Sequence, residues 1–198
     1  GNMLALFARA VSSAGLAPEE AEFVHISTAY SAGKVQGDIA EQRHHPDREF
    51  NNVYEESKNL AENQVVDYCS QHGLSYRILR PTIVMGPLIS HHSGTTRFGV
   101  YGFTREVYRL RETLAKLKHP LQLLGHSRAT ANLTPVDACV LDMLQLARNG
   151  FGQQRFFHLS NPDGVPMPDL IAEIDRITGA NRLDFVEMRY GQGGPLQE

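Results

Sequence analysis

Long apolar runs are missing from this sequence. None approaches the roughly 20 residues that cross a bilayer as a helix, which excludes a helical membrane span. An excess of positive charge is missing too. Lys and Arg number 19 against 22 Asp and Glu over 198 residues, a net charge of −3. A nucleic-acid binder needs a basic stripe to displace counterions, so that class is excluded as well. The one mild basic cluster, from Arg105 to Lys118, reads as the solvated face of a helix. Cysteine is scarce. Cys69 and Cys139 leave a single disulfide open, but both lie in apolar helical patterns, and reduced core thiols of a cytoplasmic protein are the expectation. Metal-ligand spacing is absent: His44-His45 and His91-His92 are adjacent pairs that no Cys or paired carboxylate completes, so they read as solvated loop histidines and no metal is expected. Internal repeats and low-complexity tracts are absent.

What remains is ordinary globular composition, with 41% hydrophobic and 21% charged residues, enough for a real hydrophobic core. Met3 to Ala17 has few charges. A mitochondrial presequence and an amphipathic helix leading into a strand both explain it, while Arg9 interrupts the apolar stretch too early for a secretory signal. Strand and helix patterns then alternate. A helix over Met3–Ala14 stops at Gly15, and Phe23-Val24-His25-Ile26 reads as a short buried strand. Residues 31–50 form a polar loop. A helix from about Asn52 to His72 ends at Gly73, with Val53, Leu60, Ala61, Val65 and Tyr68 on one apolar stripe.

Tyr76 to Arg80 makes a second strand, closed by Pro81 and extended by Thr82 to Gly86. Residues 87–99 are loop-like, Phe103–Lys118 helical, and Leu121–Leu124 a short strand. Pro135 opens a helix through Ala147 as a first-turn proline. Arg155–Leu159 is a strand, Pro168–Thr178 a helix ended by Gly179, and Leu183–Met188 a last strand. Strands alternating with helices predict an α/β fold with a parallel sheet and helical crossovers.

Tyr54 and Lys58 carry the chemistry. At i and i+4 on a predicted helix they lie on one face. An ammonium beside a phenol favours the phenolate, which suits an acid that must protonate a nascent alkoxide. The spacing alone is weak, and a surface helix pair would show it too. Its setting is more informative. Thr28 ends a strand (FVHIST), where hydroxyls line sites at the carboxyl edge of a sheet, though they also bond local backbone. A second strand ending in Arg80-Pro81-Thr82-Ile83-Val84-Met85-Gly86 follows the Tyr-Lys helix.

Strand-Ser/Thr, helix with Tyr-x-x-x-Lys, then strand-Arg-Pro is an ordered pattern that resembles the extended short-chain dehydrogenase/reductases. The resemblance covers roughly residues 22–162. Within that superfamily FVHISTAYSAG, NNVYEESKNLAE, YRILRPTIVMGP, Ser93-Gly94, NLTPVDACVLDML and FFHLSNP are most similar to the thioester reductase and fatty acyl reductase branch. The resemblance implies Tyr54 as proton donor, and Lys58 as the group that readies it and holds the nicotinamide ribose hydroxyls. It implies Thr28 as the donor to the substrate carbonyl oxygen, with Ser27 a second candidate, and Pro81, Thr82 and Ile83 as neighbours of the nicotinamide. The implied reaction is NAD(P)H-dependent reduction of an acyl or peptidyl thioester, on a carrier protein or coenzyme A, to an aldehyde or alcohol, with NADP(H) favoured over NAD(H). A sugar-nucleotide epimerase or dehydratase, or a hydroxysteroid dehydrogenase, is the implied alternative.

The family pattern begins with a strand and a Gly-x-x-Gly-x-x-Gly turn that cradles the pyrophosphate. No such turn precedes Thr28, and Gly191 to Pro195 is followed by too few residues for a helix. The expectation is therefore the C-terminal part of a Rossmann-like doubly wound parallel sheet plus a small α/β substrate-binding region. Residues 1–90 would be the catalytic part, and 91–198 mostly the substrate-binding region interleaved with the last Rossmann elements. Lacking the cofactor turn, the chain is expected to bind NADPH weakly and to self-associate or pair with a cofactor-binding half. A non-catalytic role as such a partner's subunit stays open. Asp137, in a helix's first turn, reads as a dipole-stabilised carboxylate.

Overall fold

The computed structural model describes residues 2–35, 37–91, 99–148 and 154–188. In chain order the elements begin with α1 (Asn2–Ser13), β1 (Glu22–Ile26), α2 (Val53–Gln71), β2 (Ser75–Pro81) and β3 (Ile83–Met85). They continue with α3 (Gly99–Ala115), β4 (Leu121–Gly125), β5 (Thr130–Ala131), β6 (Leu133–Pro135) and α4 (Val136–Arg148). The last are β7 (Phe156–Leu159), β8 (Val165–Pro166), α5 (Met167–Thr178) and β9 (Leu183–Glu187). The chain forms two compact units, one of Gly1–Ile89 with Thr134–Ser160 and one of Ser90–Leu133 with Asn161–Glu198.

The first unit is built on a parallel sheet in the order β1-β2-β7, with His25 opposite Ile78 and Ile78 opposite Phe156. Alternation along β2 sends successive side chains to opposite faces. Ile78 joins Leu4, Val11, Val65, Val66, Cys69, Leu74 and Phe156 under α1 and α2. Leu79 joins Cys139, Phe157 and Leu159 under α4. A central parallel strand buried on both faces is what an α/β layer requires. Helix α1 forms because Leu4, Phe7, Ala8 and Val11 recur at helical spacing and pack into that core, and Gly15 follows it at φ 66°. Both cysteines are buried free thiols.

Expectations for this unit hold only in part. The buried reading of β1 gives way to the open edge expected of a self-associating chain: among the described residues it pairs with β2 alone, and Val24 and Ile26 are 39% and 53% exposed. Its apolar run reflects a face that this chain leaves open. The apolar stripe on α2 holds only in its second half, where Val65 is buried and Tyr68 packs on the core. Val53 and Leu60 are exposed, and the buried positions are Glu55, Asn59, Glu62, Asn63, Val65, Val66 and Cys69. The N-terminal half of this helix buries polar side chains because each finds a partner. Finally, Pro135 ends β6 rather than opening α4, whose first residue is Val136.

In the second unit β4 and β9 are parallel, with Leu123 opposite Phe185, and β5 pairs antiparallel with β8. Helices α3 and α5 pack through Val107, Leu114, Ile174 and Ala180, with Val100, Phe103, Leu170 and Leu183 around them. Helix α3 begins one turn earlier than Phe103, at Gly99. The strands β5, β6 and β8 have two or three residues each, too few to show a period-2 pattern in sequence.

Candidate active site

Tyr54 stands in the first turn of α2, where capping fixes the backbone. The Asn52 side chain accepts from the Glu55 amide at 3.0 Å, and the Glu55 carboxylate accepts from the Asn51 amide at 2.9 Å, satisfying donors on both sides of the helix start. The Tyr54 side chain is 55% exposed. One turn on, the Lys58 ammonium lies 5.9 Å from the Tyr54 ring centroid, within cation–π range. The structure thus brings together the phenol and the ammonium.

Thr28 and Pro81 form a second pair. Ser27 extends the β1–β2 ladder, its amide donating to the Leu79 carbonyl at 2.8 Å. Thr28, buried, then caps the 3₁₀ turn of residues 29–32: its Oγ1 accepts from the Tyr30 amide and donates to the Pro81 carbonyl, both at 3.4 Å. These long bonds tie the end of β1 to the break after β2. Gly33, at φ 71°, closes the turn where a Cβ would strike the Glu49 carbonyl. Thr82 is held by the sheet. Its amide donates to the Leu159 carbonyl at 3.2 Å and its hydroxyl lies 2.8 Å from that of Thr134. Ile83 is half-buried in β3.

The largest feature of the site was not foreseen. Arg80 is fully buried and donates to Glu62 through Nε at 3.1 Å and Nη2 at 2.7 Å. Its Nη1 donates to His44 Nε2 at 3.1 Å and His158 Nε2 at 3.4 Å. Arginine cannot accept, so each Nε2 faces Arg80 as the acceptor, and His44 Nε2 also lies 3.4 Å from the Ala40 carbonyl. Burial, then the Arg80 and Arg48 charges, push the His44 pKa down to about 4. Burial followed by Arg80 also lowers His158. Burial alone would raise the Glu62 carboxyl. The bidentate Arg80 bonds, helped by the nearby Ser27 and Ser31 hydroxyls, outweigh it and hold Glu62 below the usual carboxylate value.

Around this pair, Asn59 donates to the Ser31 carbonyl at 2.9 Å, and Asn63 donates to the His44 carbonyl at 3.0 Å. The network therefore holds the turn after Thr28 and the polar loop around His44 against α2. His44 is 1% exposed, so its reading as a solvated loop residue is wrong, whereas His45 is exposed and its Nδ1 accepts from the Asp47 amide at 3.3 Å. His91 is exposed; His92, Ser93-Gly94 and the late Gly191 stretch lie outside the described residues. Among the described residues no group of three His, Cys, Asp or Glu could hold a metal ion. Sequence spacing did contain a signal for the network. Glu55, Asn59, Glu62 and Asn63 recur at three and four residues, the period of one buried helix face.

Two further side chains bear on the site. His25, on β1, has a buried Nε2 without a hydrogen-bond partner, and burial first, then the Lys58 charge, lower its pKa against the pull of Glu62. Asp137, at the start of α4, accepts from the amides of Leu88 at 3.1 Å and Ile89 at 3.3 Å. Those amides, Leu88 first, hold its carboxyl below the usual value, so it tethers the segment after β3 as well as meeting the helix dipole.

A parallel sheet with helices on both faces, a hydroxyl-bearing strand end and a Tyr-x-x-x-Lys helix define the extended short-chain dehydrogenase/reductase class. The male sterility protein family model matches residues 7–160, and the chain belongs to that family. No curated protein gives a match. Among solved structures, a dTDP-glucose 4,6-dehydratase from Bacillus anthracis in complex with NAD is similar at 13% identity and a TM-score of 0.62, over 94% of this chain and 55% of that one. RMD from Pseudomonas aeruginosa complexed with NADPH is similar at 18% identity and a TM-score of 0.59, over 93% and 59%. A thiolation-reductase di-domain from an archaeal non-ribosomal peptide synthetase is similar at 17% identity and a TM-score of 0.62, over 84% and 34%. These likenesses establish the fold, and the chain spans at most 59% of the length of these three structures.

Proposed function

We propose that this chain carries the catalytic residues of an NAD(P)H-dependent reductase acting on acyl or peptidyl thioesters held by a carrier protein or coenzyme A. The observation that carries the reading is the exposed Tyr54 phenol with the Lys58 ammonium over its ring, at the start of a helix held against the turn that follows Thr28. The wording of the motifs and the likeness to a thiolation-reductase support the thioester substrate.

The residues present fit the nicotinamide-ribose end of a dinucleotide. Lys58 is a half-buried ammonium, the Ser27 hydroxyl is buried just past the end of β1, and Pro81 and Ile83 offer an apolar wall. Lys58, Tyr54, Ser27 and the backbone of Pro81, Thr82 and Ile83 would hold that end, NADP(H) in preference to NAD(H). When bound, the cofactor supplies hydride to the carbonyl carbon. Tyr54 would donate to the oxygen that gains charge, joined by Thr28 once its one hydroxyl hydrogen turns from the Pro81 carbonyl, and donors at that atom are worth several kcal/mol in barrier. Lys58, its ammonium 5.9 Å from the Tyr54 ring centroid, would hold the nicotinamide ribose hydroxyls beside the phenol. The buried Arg80–Glu62 pair does no chemistry; it holds Thr28 and Tyr54 on a common frame.

The likeness to a dehydratase at the same TM-score as the reductase favours a second reading, a nucleotide-sugar epimerase or dehydratase. NADPH oxidation separates the two. The protein, supplied with a glycine-rich cofactor-binding half in the same chain or in trans, should oxidise NADPH with an acyl-pantetheine thioester and release aldehyde. Conversion of a nucleotide sugar without net NADPH loss would overturn the thioester assignment. The free thiols Cys69 and Cys139 suit a reducing compartment, and we place the protein in the cytoplasm. No helix among the described residues is long and apolar enough to cross a membrane.

A further inference from the structure

Four hydroxyl side chains cluster where β1 ends, those of Ser27, Thr28, Tyr30 and Ser31. Three are buried. Ser27 and Ser31 lie close enough to Glu62 to help hold its carboxylate ionised. Thr28 has one hydroxyl hydrogen, and it goes to the Pro81 carbonyl. Tyr30 alone is open, at 42% exposure, and it belongs to none of the apolar clusters among the described residues. An aromatic ring that adds nothing to a core, on a turn beside a reactive helix start, is placed to meet a ligand.

Three bonds fix the turn that carries it. Thr28 Oγ1 accepts from the Tyr30 amide at 3.4 Å, the Gly33 amide donates to the Tyr30 carbonyl at 3.1 Å, and Asn59 of α2 donates to the Ser31 carbonyl at 2.9 Å. Asn59 follows Glu55 by one turn of α2, on the same face. Its bond to Ser31 therefore sets Tyr30 beside the helix start, where Tyr54 and Glu55 stand. Charge coupling agrees with that placement: burial first, then the Glu55 carboxylate and the Tyr54 phenol, push the Tyr30 phenol above its ordinary value. Tyr30 thus keeps its hydrogen, as a neutral donor, when Tyr54 gives its own away.

We propose that Tyr30 is a second catalytic phenol, whose hydroxyl donates a hydrogen bond to the substrate carbonyl oxygen beside Tyr54. As the carbonyl carbon takes hydride from a reduced nicotinamide, the π pair of the C=O bond moves onto oxygen. Tyr54 transfers its proton to that oxygen and is left as phenolate, to be reprotonated from solvent. Tyr30 transfers nothing. It holds the developing charge through a hydrogen bond that needs no rearrangement, whereas Thr28 must first release the Pro81 carbonyl. The inference rests on carbonyl reduction by Tyr54, as proposed above, and holds for a thioester and a keto-sugar alike.

Two measurements test it, one of them without cofactor. In the 198-residue chain carrying fluorotyrosine, whose phenol ionises at lower pH than tyrosine, fluorine NMR follows Tyr30 directly. Its titration should move to lower pH in Tyr54→Phe, because a neighbouring negative charge is lost. An unmoved Tyr30 titration in folded Tyr54→Phe would put the two phenols in separate sites and overturn the proposal. With the cofactor-binding half supplied, Tyr30→Phe should melt within a few degrees of the parent and keep its KM. Its kcat should fall about a hundredfold, the cost of one donor to a developing oxyanion. A kcat within about twofold of the parent would overturn the proposal, as would a raised KM with kcat unchanged, the mark of ground-state contact alone. Action on UDP-glucose instead of an acyl-pantetheine thioester, slowed by Tyr30→Phe, sinks the thioester reading and leaves Tyr30 in place. Thioester reduction that Tyr30→Phe performs normally sinks Tyr30 alone.

Discussion

Tyr54 and Glu62 stand about two turns apart on α2, and their surroundings differ in every respect that matters. Tyr54 is 55% exposed and touches a mobile type of partner, a lysine ammonium at 5.9 Å from its ring. Glu62 is 1% exposed and held in a two-point grip by a buried guanidinium. Both are polar residues on one helix, yet one is available to a ligand and the other is locked. The difference shows how a helix can present reactive groups at fixed positions. Its exposed start carries the chemistry in the proposed reading, while its buried middle is anchored to Arg80, His44 and the turn after Thr28 by directional bonds.

The comparison predicts opposite phenotypes. Tyr54→Phe removes a proton donor, and turnover with the cofactor-binding half present should fall by about two to four orders of magnitude, the span of general acids. Its melting temperature should stay within a few degrees, because an exposed hydroxyl is lost. Glu62→Ala leaves Arg80 buried without its counter-charge, and chemical denaturation should register a loss of about 3–5 kcal/mol. A Glu62→Ala protein as stable as the parent would mean that the pair is not the anchor argued here.

Acid should attack the buried side first. His44 is neutral with a pKa near 4 in the folded chain against 6.5 for an ordinary imidazole, so the unfolded chain takes up its proton first as pH falls. Stability from this group is complete above 6.5 and declines as pH drops toward 4. Glu62, lowered from 4.5, acts in the same direction below that pH. Denaturation curves across this window should therefore weaken on acidification. His44→Gln, which retains an acceptor for Arg80 but cannot titrate, should flatten the slope between 6.5 and 4; an unchanged slope would point to other groups.

Much of this contrast was legible in the sequence, though not all of it. The nearness of Lys58 to Tyr54 could be read ahead because it depends on helical spacing, which survives in one dimension; the catalytic roles of Tyr54, Lys58 and Thr28 are proposals. The anchor could not, since Glu62, Arg80, His44 and His158 come from four separate segments and only folding brings them within 3.4 Å. The apolar letters of α2 misled for the same reason. Val53 and Leu60 looked like core, while the burial of Asn59 and Asn63 depends on carbonyls of Ser31 and His44 supplied from afar. In β1 the apolar run was read correctly as a strand, and its exposed Val24 and Ile26 fit the open edge expected of it rather than full burial.

That open strand carries the smallest predicted effect. Val24 and Ile26 are exposed beside a backbone edge with a partner on one side only, a geometry that invites pairing with another chain. Light scattering at roughly tens of micromolar should find the chain associated, and Ile26→Lys should shift it toward monomer by about tenfold in dissociation constant, as edge lysines do elsewhere. A monodisperse parent chain would remove this part of the account.

The most direct test of the division of labour along α2 is to measure turnover and melting temperature together in Tyr54→Phe and Glu62→Gln. The account predicts that Tyr54→Phe melts like the parent and reduces a thioester about a hundredfold more slowly or worse, while Glu62→Gln melts early and, kept below its transition, retains most of its turnover. Near-normal thioester reduction by a folded Tyr54→Phe protein would contradict it.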